Sequence, residues 1–155
     1  KDRRKIAENN MKLALGHNKS VSGIQKIIKE ADHHMGLVLV EFILLKSGDD
    51  EPFYWLISIN DPELTFLTTN PWNFVSDYQF DLPEQDKKKL KIRNMKDILI
   101  LNIIVLPEDI KEMSINLRAP IVVNINQNLG KQIILPEEKY PIRYYAFKEQ
   151  IKVED

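Results

Sequence analysis

A chain of 155 residues with 43% hydrophobic and 29% charged side chains can bury one real core and is too apolar for wholesale disorder. It has no cysteine, which excludes disulfide scaffolds, thiol catalysis and cysteine-based zinc sites. The net charge of −1 hides an asymmetry: residues 1–35 hold eight Lys/Arg and four Asp/Glu, and residues 36–155 hold fourteen and nineteen.

A basic stretch (+4) ahead of an acidic body (−5) predicts an arm over 1–35 and a domain over 36–155 with different tasks. An acidic body repels phosphate backbones and so argues against a nucleic-acid-binding barrel. No apolar run approaches the roughly eighteen residues that span a bilayer. The opening Lys1-Asp2-Arg3-Arg4-Lys5 is followed by polar residues, unlike a secretory signal, so a cytoplasmic location is expected.

In the arm, Ile6, Ala7, Met11, Ala14 and Leu15 form a helical stripe over residues 3–15, stopped by Gly16. Asn18 or Ser20 is placed to cap a second helix over about 21–32, with Ile24, Ile27, Ile28 and Ala31 on one face. From Leu37 to Leu45 the chain is almost wholly aliphatic, as in a strand covered on both faces. After the polar turn 46–52 the period becomes two. Phe53, Trp55, Ile57 and Ile59 share one face, and Tyr54, Leu56 and Ser58 the other. Leu64 to Thr69 predicts another strand, and alternating Tyr78, Phe80 and Leu82 a half-exposed one. Pro83 is placed to open a short helix through Leu90, with acids early and lysines late as the helix dipole prefers.

Ile98 to Leu106 is the most apolar strand of the chain, and Asp109 to Met113 a helical turn or tight loop. Strands are then expected over 114–118, 121–125 and 132–135, the last two joined by a hairpin loop over 126–131. Seven or eight short strands with few helices predict a mainly β fold. It would be a compact antiparallel barrel-like domain with one or two short helices, preceded by the helical arm. Phe53, Trp55, Phe66, Ile100 and Ile104 are its expected core.

The chemistry of an enzyme is missing. Five glycines are scattered singly, so no loop cradles a phosphate. All three histidines, 17, 33 and 34, fall in the arm, so the body offers no Ser-His-Asp set. Adjacent His33 and His34 lack a third ligand, and Asp49-Asp50-Glu51 lacks the spaced oxygens of a calcium loop. Aromatic residues 53, 54, 55 and 66 have no interleaved lysines, which favours packing over base stacking. No catalytic residue, metal site or cofactor is expected.

Several ordered segments carry a resemblance. Asp50-Glu51-Pro52-Phe53-Tyr54-Trp55-Leu56 is followed by Asn60-Asp61-Pro62-Glu63-Leu64-Thr65-Phe66, then Asn70-Pro71 and Tyr78-Gln79-Phe80-Asp81-Leu82. Next come Leu106-Pro107-Glu108-Asp109, the run Ser114 to Asn124, Gly130-Lys131-Gln132-Ile133-Ile134-Leu135 and Tyr140-Pro141-Ile142-Arg143-Tyr144. Each motif alone is weak. Taken in order, over about residues 36–145, they resemble the FliW family of flagellar assembly factors; residues 1–35 do not share the resemblance. The resemblance implies a small barrel-like monomer that catalyses nothing and binds flagellin in the cytoplasm. When flagellin has been exported, such a protein binds and antagonises the translational regulator CsrA, so synthesis follows secretion.

The segment 106–124 is the candidate partner surface, with Pro107, Glu108, Asp109, Asn116, Leu117, Pro120 and Asn124 as its candidate residues. Asparagines beside a strand break have two readings: they satisfy loop backbone groups, or they face a partner. The acidic body suits a basic or amphipathic partner segment. The basic arm has two readings as well. It docks on the barrel, covering an edge or occupying the partner site there or on a neighbouring molecule, or it is an appendage without a surface. The rival function is a small single-stranded nucleic-acid-binding barrel anchored by that arm.

Overall fold

The computed structural model describes residues 25–33, 36–61, 63–136 and 138–148. Among these residues there are nine strands: β1 (Gln25–His33), β2 (Gly36–Lys46), β3 (Phe53–Ser58), β4 (Thr65–Thr69), β5 (Ile98–Val105), β6 (Ser114–Ile115), β7 (Ile121–Asn124), β8 (Leu129–Gln132) and β9 (Tyr144–Tyr145). One α-helix, α1 (Glu84–Lys89), follows Pro83 as its sequence predicts. Three-residue 3-10 turns lie at Pro71–Asn73, Met95–Asp97 and Ile110–Glu112.

The pairings close into a ring. Strands β1, β2, β3, β4 and β5 pair antiparallel in succession, except that β5 meets β4 after the excursion through α1. Strand β5 then pairs with β7, β7 with β8, and β8 returns to β1 in the one parallel pairing described. The apolar β5 sits at the junction. Its residues 98–101 pair with β7, 102–104 with β4, and 104–105 with β6, which carries β9 on its far side. Closure is partial: in the described pairings β8 meets β1 at Ile28 and Lys29 and β3 meets β2 from Phe42 to Lys46, so the far end of the β1–β2 hairpin extends beyond the ring.

The largest departure from the sequence reading is at β1. A helix was expected over 21–32, but residues 25–33 are a strand hydrogen-bonded to β2 from Gln25↔Leu44 to His33↔Gly36. Four apolar positions are too few to set a helical period against a nine-residue edge offered by an aliphatic neighbour. The second half of the basic arm is therefore part of the ring, between β2 and β8. The helix expected over 3–15 lies outside the described residues.

Smaller differences lie in the connections and at strand ends. The expected strand through Tyr78, Phe80 and Leu82 is irregular, because Tyr78 and its neighbours use aromatic packing and side-chain bonds instead of a ladder. The strand expected over 114–118 stops at Ile115. The hairpin turn occupies 125–128, so β8 begins three residues before the expected strand at 132; Asn128 takes a positive φ of 55° within the turn.

Alternation along the strands places apolar side chains on both faces, and two buried clusters result. The larger gathers Leu45, Trp55, Leu67, Ile104 and Val122 from the strands under Tyr78, Leu90, Met113 and Leu117 from the connections. The other contains strand residues alone among its buried members: Phe42, Leu44, Leu56, Leu101, Ile121 and Val123. Of the expected core, Trp55 and Ile104 are buried in the first cluster, and Phe53 and Ile100 pack half-buried against it. Phe66 packs against the other cluster, since Leu67, not Phe66, lies opposite Trp55.

Candidate partner interface

Segment 106–124 leaves β5 and enters β7, and it divides into an exposed half and a buried half. Pro107, Glu108 and Asp109 are exposed. The Asp109 carboxylate accepts the Lys111 amide at 3.0 Å and so caps the turn Ile110–Glu112. After β6 the polar groups turn to the backbone. Asn116 Oδ1 accepts the Ala119 amide at 3.2 Å, and the Asn116 carbonyl accepts the Asn102 side-chain amide at 2.8 Å.

Leu117 and Pro120 are buried, their carbonyls accepting the Tyr78 hydroxyl at 2.7 Å and the Ile133 amide at 2.8 Å. Asn124, also buried, donates from Nδ2 to the carbonyls of Leu90 at 2.9 Å and Lys91 at 3.2 Å. Its Oδ1 accepts the amides of Asn126 at 3.1 Å and Gln127 at 3.2 Å, which shapes the following turn. The side-chain oxygens of Asn116 and Asn124 thus satisfy loop amides, the first of the two readings open to them. The structure brings Pro107, Glu108 and Asp109 to the surface together, and holds Leu117, Pro120 and Asn124 beneath it.

The exposed turn borders an apolar groove of about 230 Å³. Phe53 and Trp55 from β3, Phe74, Ile110, Met113 and Phe147 line it. Ile110 is 59% exposed although it lines the groove, and Val105 just before the turn is 51% exposed. Acidic residues gather on the adjoining turns. Asp49, Asp50 and Glu51 follow the lining residue Ser47, and Glu108, Asp109 and Glu112 flank Ile110. Three lysines lie among them: Lys46, Lys111 and Lys148. Lys148 is held to Glu112 at 2.9 Å and sits 4.7 Å from the Tyr145 ring centre; the Glu112 bond raises its pKa. An apolar strip with a net acidic rim suits an amphipathic, basic segment.

A second cleft, of about 380 Å³, opens between Trp72, Tyr78, Phe80, Lys87, Met95 and Ile98. Met95 is 66% exposed there, and the Trp72 indole is fixed by donation from Nε1 to the Tyr78 carbonyl at 2.9 Å. Trp72, Met95 and the groove residues Phe74, Ile110 and Phe147 are not among the candidates that the sequence pattern marks. Lone apolar residues within polar turns, such as Ile110 between Asp109 and Lys111, were the available signal. Among the described residues no group of three or more His, Asp or Glu side chains is placed to hold a metal. No helix of the described residues is long and apolar enough to cross a membrane.

The flagellar assembly factor FliW of Caldicellulosiruptor saccharolyticus is 42% identical over 110 residues, covering 71% of this chain and 72% of that protein. That of Clostridium kluyveri is 41% identical over 113 residues, covering 73% and 78%. A crystal structure of the flagellar assembly factor FliW superposes with a TM-score of 0.64 at 32% identity, covering 69% of this chain and 74% of the other. The family model for FliW protein matches residues 22–146, so it begins fourteen residues ahead of the resemblance seen from residue 36 and takes in β1. The chain belongs to the FliW family.

Proposed function

We propose that this chain is a cytoplasmic, non-catalytic flagellar assembly factor that binds flagellin and, when free, binds and antagonises CsrA, coupling flagellin synthesis to export. The observation that carries this reading is its 38–42% identity, over about seven-tenths of its length, to proteins named flagellar assembly factors. The apolar groove beside Pro107, Glu108 and Asp109 supports it, because it offers buried area and an acidic rim to an amphipathic segment.

Titration of the purified chain with flagellin and with CsrA, by calorimetry, tests the reading. Saturable binding to each, with flagellin displacing CsrA, is the expected result. No binding to either sinks it. Titration with single-stranded RNA is run beside them, and tight binding with a steep salt dependence would favour the nucleic-acid-binding alternative.

A further inference from the structure

The apolar groove has a candidate occupant within this chain. Strand β1 runs antiparallel to β2, so its first residue, Gln25, pairs with Leu44 near the end of β2. Leu44 in turn pairs with Leu56, the neighbour of Trp55 in the groove wall. Two interstrand spacings separate Gln25 from Leu56, about 10 Å. The chain preceding Gln25 therefore joins the ring at the end where Ser47 and Phe53 line the groove.

The preceding sequence has the complementary chemistry. Residues 1–15 hold five Lys/Arg and two Asp/Glu, against six acidic and three basic side chains on the turns around the groove. Ile6, Met11 and Leu15 provide an apolar stripe when the segment is helical, and methionine adapts well to an irregular apolar slot. Residues 16–24, nine in number with Gly16 and Gly23 among them, span up to about 30 Å when extended. That is ample for a 10 Å gap. The groove, of about 230 Å³ and lined mostly by apolar side chains, suits the apolar face of a short helix.

We propose that residues 3–15 dock in this groove on their own molecule, apolar stripe inward, and so occupy in cis the surface bordered by Pro107, Glu108 and Asp109. The tether makes the contact intramolecular, so even a weak intrinsic affinity yields substantial occupancy. A partner that uses the same groove must displace the segment. The docking itself needs no partner, and its test is independent of flagellin and CsrA.

The test compares amide NMR spectra of the full chain with those of a chain lacking residues 1–20, which keeps β1. The signals of Ile110, Met113 and Phe147 are expected to differ between the two, and a synthetic peptide of residues 1–20 to restore them in the shortened chain. Ile110→Asp, at an exposed position, and Met11→Asp in the peptide should each weaken peptide binding about tenfold or more. If the shortened chain does not fold, Met11→Asp in the full chain replaces it, and the same groove signals should move. Unchanged groove signals overturn the proposal. So do changes confined to the cleft at Trp72 and Met95, or changes that grow with protein concentration and reveal docking on a second copy.

Discussion

Tyr78 ties the connections to the ring. Its hydroxyl donates to the Leu117 carbonyl at 2.7 Å, and its ring meets those of Trp72, Phe80 and Tyr140. Burial pushes its pKa up from 10.0 to about 12, with the Asn102 amide acting the other way and Tyr140 adding to the rise. An ionisable group whose folded pKa is raised contributes stability that is fully present below its unfolded pKa and lost as pH rises through the folded one. Stability measured by urea unfolding should therefore fall between pH 10 and about pH 12. Tyr78→Phe should flatten that decline while costing about 1–3 kcal/mol at neutral pH, through the stranded Leu117 carbonyl. An equal decline in the variant would assign it to other groups. Trp55, 5% exposed, belongs to the same cluster. Trp55→Ala should cost about 3–5 kcal/mol, read as a lower unfolding midpoint with an unchanged denaturant slope.

Strand β1 is the element with the most to decide. It pairs over nine residues with β2 and through Ile28 and Lys29 with β8, and without it the ring has two facing edges. Deleting residues 1–33 should therefore give an insoluble or self-associating product, whereas deleting 1–20 should leave a soluble chain whose melting temperature falls by no more than a few degrees, the loss expected of a weakly docked segment. Light scattering and thermal melting of the two products check this. Similar behaviour of both would show that β2 and β8 hold the fold without β1. Helix α1 is anchored differently, by an ion pair between its buried Asp86 and Lys131 of β8. Removing one partner of such a pair leaves a buried charge and costs about 3–5 kcal/mol. Lys131→Met should show a loss of that order in urea unfolding, and a smaller one would mean that Asp86 becomes hydrated.

Across the whole molecule, charge and shape act at different stages of an encounter. The acidic turns around the groove create a field that speeds approach of a basic segment more than it tightens the final complex. Glu108→Lys reverses one exposed rim charge outside the capping bonds. It should slow association with a basic amphipathic partner and leave dissociation nearly unchanged, the effect fading as salt is raised past the screening length. Stopped-flow measurement at low and moderate salt checks this, and a change confined to the dissociation rate would place Glu108 in direct contact instead.

Much of this protein could be read along the chain. Alternation marked β3, β-branched and aromatic residues marked β4, and a long apolar run marked β5; Pro83 opened α1, and the ordered motifs from Asp50 to Tyr144 carried the family resemblance. These features depend on nearest neighbours, which a sequence displays directly. What tertiary structure decided was the state of residues 25–33, the closure of the ring and the division of 106–124 into surface and support. Each depends on partners distant in sequence: β1 became a strand because β2 and β8 lay on either side of it, and Asn124 turned inward because the carbonyls of Leu90 and Lys91 lay there. The groove, too, exists only where β3, the 110–113 turn and Phe147 converge, and no local pattern encodes that convergence.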